Sequence, residues 1–242
     1  MANTRSLPES PRLKELRPGL FALRGWVGWT HLLIDDDGVV LVDSGFAGDL
    51  RRLQGAITGL GFQPHQLKAI LITHGHIDHT ANAAALQAWS GAKVYAPAGD
   101  ELHLDGRYAY RRAAKVCGLL KFLGRGLMRY RPPKVDVWVR DGDELPFWGG
   151  LHVVGLPGHT EGHVGYYTAS KRVFFVGDTF AVSFRIALPP AIPSTDAALA
   201  RESFGKVLDY DADLLVPTHY FSIDEHTIDR VRAKAASLNL KR

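Results

Sequence analysis

The stretch THGHIDHT, Thr73 to Thr80, places three histidines and an aspartate within six consecutive positions, straight after the apolar run Ala69 to Ile72. Imidazole nitrogens and carboxylates at this density point to metal ligation. In extended chain, side chains at i, i+2 and i+4 share one side, so His74, His76 and Asp78 can face the same point. A helix beginning near Asp78 would turn His79 another way. Gly75 leaves space between the first two ligands. Two imidazoles converging in one direction, with an Asp-His pair diverging to another, suit two neighbouring metal ions better than one.

A metal site needs further ligands, and the ends of strands are where to seek them. Three stretches qualify: LPGHTEGH carries His159, FFVGDT carries Asp178 and LLVPTHY carries His219. Each reads as strand, tight turn, ligand. The set is then five histidines and two aspartates, nitrogen and carboxylate donors that suit Zn²⁺, Fe or Mn rather than Ca²⁺. Structural zinc sites are usually closed and cysteine-rich. Cys117 is the only cysteine in the chain, so an open, catalytic site is favoured.

The elements that must position these residues can be read from periodicity. HLLIDDDGVVLVDSG predicts a β-hairpin turning at Asp37-Gly38. Helices are expected over Leu50 to Leu60, Ala81 to Trp89, Ala197 to Leu208 and Ile223 to Leu238. Strands are expected over Lys68 to Ile72, Lys93 to Ala96, Val135 to Val139, Leu151 to Leu156, Val164 to Thr168, Val173 to Val176 and Asp213 to Val216. Strands, a helical insert, strands again and then helices imply an α/β fold: two mixed sheets packed together with helices outside, as one domain over 1–242.

Composition sets the outer bounds. The hydrophobic fraction of 46% and charged fraction of 22% are those of a globular protein. No apolar run approaches the ~20 residues of a membrane span. The first residues, MANTRSLPESPRLKELRPG, have no apolar core, so no secretory signal is expected. With a single cysteine, a reducing, cytoplasmic setting is the expectation. The net charge of +4 is concentrated: residues 106–134 hold nine Lys/Arg and no Asp/Glu. This basic helical insert, at about 100–134, reads as an amphipathic helix with a solvated face. It also suits a lid beside the site that draws in an anionic substrate, the favoured function, or a homodimer contact or membrane-surface helix. It is short and apolar for an RNA arm, so no nucleic-acid partner is expected.

HxHxDH followed by a distant His, Asp and His, each closing a strand, resembles the metallo-β-lactamase superfamily of hydrolases. The resemblance runs from the hairpin near His31 to about His219. It implies a four-layer αβ/βα sandwich of two mixed β-sheets with outer helices, and a site on one edge. It implies that His74, His76 and His159 hold one metal ion, that Asp78, His79 and His219 hold a second, and that Asp178 bridges them. Asp43, in LVDSG, matches the superfamily's Asp-x-Gly element and would orient a ligating imidazole. His163 recurs in the Gly-His-Thr-x-Gly-His form as a packing or supporting residue. The implied activity is hydrolysis of an ester, thioester or lactone of a small molecule by a metal-bridging hydroxide. Two divalent ions are expected, zinc first, with iron or manganese as alternatives. Asp178 or Asp78 would move the proton. Tyr220, Trp29 and Arg185 are candidates to meet substrate, Tyr220 as an oxyanion donor or as packing. Trp26 and Trp29 precede the first hairpin strand, where the superfamily has a loop near the substrate, and would either contact an apolar substrate or pack in the core.

Within the superfamily the GHTEGH and GDT stretches resemble the glyoxalase II and lactonase branch. Two features depart from it. TFAVSFRIAL stands where glyoxalase II enzymes carry Gly-Cys-Gly-Arg, and Ala181 stands where quorum-quenching lactonases carry tyrosine. Three alternatives accompany the hydrolase. One is a persulfide dioxygenase-like oxidoreductase with a single iron on His74, His159 and Asp178. Another is a phosphodiesterase or nuclease of the same fold, and the last is a metal-binding module without catalysis. The other histidines, His31, His65, His103, His152 and His226, are expected to be structural or solvated.

Overall fold

The computed structural model describes residues 12–35, 38–107, 123, 126–127, 130–190, 194–224 and 226–240. Most of the basic insert, and with it the expected lid, dimer contact or surface helix, lies outside the described residues.

The first sheet has seven strands in sequence order: β1 (Leu13–Arg17), β2 (Leu20–Arg24), β3 (Trp29–Asp35), β4 (Gly38–Val42), β5 (Leu67–Leu71), β6 (Lys93–Pro97) and β7 (Val137–Val139). It is antiparallel from β1 to β4 and parallel from β4 to β7. The second sheet combines β8 (Glu144–Leu145), β9 (Leu151–Gly155), β10 (Val164–Thr168), β11 (Val173–Gly177) and β14 (Leu214–Pro217), in the order β14-β11-β10-β9-β8. Only β11 and β14 run parallel there. A separate pair, β12 (Ala181–Val182) and β13 (Ile186–Ala187), forms a small hairpin.

Both sheets are mixed, as expected, and the apolar pattern explains why they stack. Every residue of β4, GVVLV, is buried. Side chains alternate across a strand, so a continuous apolar run must bury both faces. Val40 and Val42 join the cluster between the sheets, with Ala69, Leu71, Val154, Tyr166 and Phe175. Val39 and Leu41 point the other way, toward Leu53 and Ile57 of α1 (Leu50–Gly59). Ile70 and Ile72 face the same side, as do Ala83 and Leu86 of α3 (Ala83–Ser90). On the far side of the second sheet, Phe204 of α5 (Ala197–Lys206) and Val231 of α6 (Thr227–Ser237) complete the layers. Two short helices, α2 (Ile77–Thr80) and α4 (Glu101–Leu104), sit at the site edge. The result is the four-layer αβ/βα sandwich.

The predicted hairpin is present as β3–β4, but Gly38 is not part of its turn. It is the first residue of β4, opposite Asp35. A Cβ there would overlap the Gln66 carbonyl oxygen and lie 2.8 Å from Lys68 Cε. The glycine is needed for the close approach of β5, not for turn conformation. Gly38→Ala is therefore expected to destabilise the fold by about 1–3 kcal/mol through overpacking. Thermal unfolding should show this as a midpoint lowered by several degrees.

The hairpin β1–β2 was not expected. Its first strand, LKELR, is largely exposed and alternates weakly, so periodicity gives it no signal. The turn at Pro18-Gly19, with Gly19 at φ 76°, is its one local mark.

Candidate metal centre

The strands place the chemistry on one edge. Asp43 follows β4, Thr73 and His74 follow β5, Asp178 follows β11 and His219 follows β14. His159 and His163 lie in the connection from β9 to β10. Val164 N–H donates to the Thr73 carbonyl at 2.9 Å, which ties the two sheets together at this edge.

The seven expected ligands converge. Ligand atoms of His74, His76 and His159 form one trio, and those of Asp78, His79 and His219 form another. Ring centroids in the first trio are 4.6–4.8 Å apart. Asp178 stands between the trios. Its Oδ2 is 3.4 Å from His159 Nε2, 3.3 Å from His219 Nε2 and 4.0 Å from His74 Nε2. Its Oδ1 is 3.4 Å from His79 Nε2. Asp78 Oδ2 is 3.4 Å from His219 Nε2 and 3.7 Å from His79 Nε2.

One detail of the sequence geometry is corrected. His74, His76 and Asp78 do not face one point. The helix α2 begins at Ile77, so Asp78 leaves the extended period and turns with His79 toward His219.

The arrangement fits two metal ions. Two ligands about 2.0–2.2 Å from a shared zinc at tetrahedral angles stand roughly 3.3–3.6 Å apart. The spacings around Asp178 lie at and just above that. His74, His79 and His159 each bury an Nε2 with no hydrogen-bond partner. A buried nitrogen without a partner costs about 1–3 kcal/mol. A cation removes that cost. Charge divides the site in the same sense. Burial, then the neighbouring imidazoles, holds His74 well below the usual histidine range, and burial lowers His159 to about 4. These are neutral nitrogen donors. Burial also opposes charge on His79, yet Asp178, Asp43 and Asp78 outweigh it and hold that residue well above its usual range. Asp178 likewise raises His219 to about 10. The carboxylate side of the site thus favours positive charge.

Supporting contacts fix the tautomers. Asp43 Oδ2 is 2.8 Å from His79 Nδ1, so that nitrogen carries a proton and Nε2 is the nitrogen turned to the centre. Asp43 also accepts from the Thr73 amide at 2.8 Å and the Thr73 hydroxyl at 2.9 Å. The hydroxyl oxygen in turn accepts from His74 Nδ1 at 3.1 Å. One carboxylate therefore orients two imidazoles, and it does so from a left-handed backbone position, φ 58°. His163 uses both its nitrogens: Nδ1–H donates to Leu156 O, and Nε2 accepts the Asp178 amide, each at 3.0 Å. Burial lowers its pKa to about 4, in keeping with the neutral ring this requires. It holds Asp178 in place, and no nitrogen is left for a metal.

Thr73 and Asp100 were not singled out in the sequence. Asp100 is fully buried and accepts from Gly75 N, Thr160 Oγ1 and Gly162 N, each at 2.7 Å. Those donors flank His74, His76, His159 and His163. The stretch APAGD carries a strand end, a glycine and a carboxylate, as FFVGDT does, but the groups that Asp100 accepts from on the GHTEGH turn lie some 60 residues along the chain. His103 packs against His76 and pairs with Glu161 Oε2 at 3.1 Å. His31 is buried, and His152 pairs with Glu144 at 3.3 Å. His65 and His226 are on the surface.

The candidates for substrate contact are divided. The Tyr220 hydroxyl lies 3.4 Å from buried His31 Nε2, inside the sandwich, and its ring stacks on Trp29 at 4.8 Å. Tyr220 is thus a packing residue, and its hydroxyl is not placed to meet an oxyanion. Trp29 donates Nε1–H to the Tyr220 carbonyl at 2.7 Å and lines a cavity of about 180 Å³ next to His219. Arg185 is exposed at the tip of the β12–β13 hairpin. A larger cavity, about 500 Å³, lies behind the GHTEGH loop between Arg140 and Lys206, and none of the seven ligands lines it.

Comparison with known proteins agrees with this geometry. The model of the metallo-beta-lactamase superfamily matches residues 23–219. The chain belongs to the metallo-β-lactamase superfamily. The match begins within β2 and ends on His219, so it contains all seven convergent residues. A hydroxyacylglutathione hydrolase, GloC, from Haemophilus influenzae is 28% identical over 151 residues, 60% of this chain and 62% of that protein. The chain thus spans less than two thirds of that relative's length. A probable metallo-hydrolase, YflN, from Bacillus subtilis is 28% identical over 201 residues, 74% of each chain. The crystal structure of a metallo-beta-lactamase family protein from Thermus thermophilus superposes with a TM-score of 0.72 at 22% identity. It covers 93% of this chain and 80% of that one, a likeness of fold.

Proposed function

We propose that this superfamily member is a metal-dependent hydrolase that cleaves an ester, thioester or lactone bond of a small molecule. The observation that carries the reading is the pair of ligand trios sharing Asp178, with the buried Nε2 atoms of His74, His79 and His159 making no hydrogen bond. His74, His76 and His159 would hold one divalent ion, Asp78, His79 and His219 a second, and Asp178 would reach both. Zinc is the proposed metal, since the donors are imidazole and carboxylate, and iron or manganese accept the same set. Bound together, two such ions supply hydroxide near neutral pH and polarise a carbonyl oxygen.

The chain's own residues orient that chemistry. Asp43 and Thr73 aim His79 and His74, and His163 fixes the Asp178 backbone. His74 and His79 are sealed from solvent, whereas the side chains of His219 and Asp78 are 28% and 24% exposed. Substrate would therefore approach past His219 and Asp78. Asp78 is the carboxylate at that mouth, placed to take up and pass on a proton, with Asp178 behind it. One domain holding both sheets is the proposed organisation, supported by the shared cluster between them. Among the described residues no helix is long and apolar enough to cross a membrane. The single cysteine supports a reducing, cytoplasmic setting as part of the proposal.

Elemental analysis of protein purified without added metal tests the reading. About two ions per chain are expected, with turnover of a thioester or lactone lost on chelation and restored by zinc. Activity that survives complete chelation would sink it. One iron per chain would instead favour a mononuclear centre on His74, His159 and Asp178.

A further inference from the structure

Four apolar side chains near the mouth of the site are half or more exposed. Trp26 is 65% exposed, Val27 50%, Phe184 97% and Phe221 65%. Scattered exposed hydrophobics are ordinary, but a cluster beside a functional cavity marks a contact surface.

The cluster forms two walls. On one side, Trp26 is rigidly presented: its backbone N–H donates to Asp49 at 3.2 Å, and the Arg52 guanidinium lies 4.3 Å from its ring centroid. Arg52 is itself held to Asp49 at 2.7 Å. The same loop meets the metal centre, with the Val27 carbonyl 3.4 Å from His219 Nδ1. On the other side, Phe184 rides the tip of the β12–β13 hairpin and meets Phe221 with ring centroids 5.8 Å apart. That hairpin is fixed to the chain around His219 by Val182 N–H to His219 O and Phe221 N–H to Val182 O, both 2.9 Å. Between the walls lies the cavity of about 180 Å³, with His219 in its lining. This is room for about six groups of water or methylene size, at roughly 30 Å³ each. Arg24 is its one permanently charged lining residue, and the guanidinium leans over the Trp29 ring at 5.9 Å.

We propose that this groove seats the acyl group of the substrate, and that the group is apolar, an aliphatic or aromatic chain of about six carbons or more. The proposal rests on the hydrolase reading and adds the substrate class to it. A chain lying from His219 outward between Val27 and Phe221 covers surface that is otherwise wet. Each methylene fully removed from water contributes about fourfold to affinity, and less in a groove open on one side.

Two measurements on the metal-loaded protein test this. The first is kcat/KM for thiophenyl esters of acetate, butyrate and octanoate. The second is calorimetric binding of octanoate against acetate. We expect octanoyl over acetyl selectivity on the order of 10- to 100-fold, with octanoate bound more tightly than acetate. Val27→Ser and Phe221→Ser should each lower that selectivity ratio and the octanoate affinity about fivefold. Equal cleavage of all three esters overturns the groove and leaves the hydrolase standing. Selective octanoate binding that both variants weaken, with no ester cleaved, sustains the groove and removes the hydrolase. Octanoate binding unchanged in both variants also overturns the groove. So does self-association that Phe221→Ser abolishes in the absence of a chain-length effect, which would assign the patch to a second copy of the chain.

Discussion

Asp178→Asn is expected to lower kcat/KM by on the order of 10³-fold and to leave the chain with one bound ion or none. This is the scale seen when a member of a catalytic group acting as a unit is removed. The reason is position. Of the two aspartates, Asp178 is the one whose carboxylate oxygens lie within 4.0 Å of histidine nitrogens from both trios. Asparagine has nearly the same shape, and the backbone amide can still donate to His163, so the fold should hold. What is lost is the negative charge that favours positive charge at His79 and His219. The amide also brings an N–H group toward nitrogens that must keep their lone pairs. Circular dichroism, elemental analysis and steady-state kinetics on one preparation separate these effects. A folded variant with two ions and full turnover would remove Asp178 from the centre.

That residue was legible from sequence because FFVGDT combines three signals: a strand, a glycine and a carboxylate. The same is true of LPGHTEGH and LLVPTHY, where a histidine takes the carboxylate's place and proline marks the turn. The strands themselves were legible because both faces of β4, β5, β10 and β11 are buried, which makes their sequences largely apolar. What failed was whatever depends on contacts far along the chain. Gly38 read as a turn residue because its neighbour Gln66 is remote in sequence. The weakly patterned β1 gave no strand signal because half of it faces water. For Tyr220 the sequence leaves an oxyanion donor and a packing residue both open, since only the fold shows that its hydroxyl meets His31. Extended periodicity alone lets Asp78 share a side with His74 and His76; the start of helix at Ile77 is what turns it, with His79, toward His219.

Asp100 is the strongest case of a contact hidden from sequence, and it carries the second large expected effect. Its carboxylate links the HxH turn to the GHTEGH turn, through Gly75 N on one side and Thr160 and Gly162 on the other. The backbones meet closely here: a Cβ on Gly162 would lie 2.5 Å from the Asp100 amide nitrogen. Both carboxylate oxygens are thus engaged in positioning the loops that bear His74, His76 and His159. Asp100→Ala leaves the buried donors of Gly75 and Thr160 without an acceptor, each costing about 1–3 kcal/mol, and frees the part-buried Gly162 N–H as well, so it should unfold much of the protein at moderate temperature. Asp100→Asn is the more informative variant. It keeps one acceptor oxygen but turns an N–H group toward a donor, which spreads the two loops without emptying the space. Loss of a contact that orients ligands typically weakens metal binding 10- to 100-fold. The expected result is therefore a folded protein with weakened metal affinity and reduced kcat, and with activity largely restored by excess zinc. Zinc titration monitored by both activity and thermal stability distinguishes this from a purely structural role. A structural role would lower the unfolding midpoint and leave the metal affinity untouched, and excess zinc would then restore nothing.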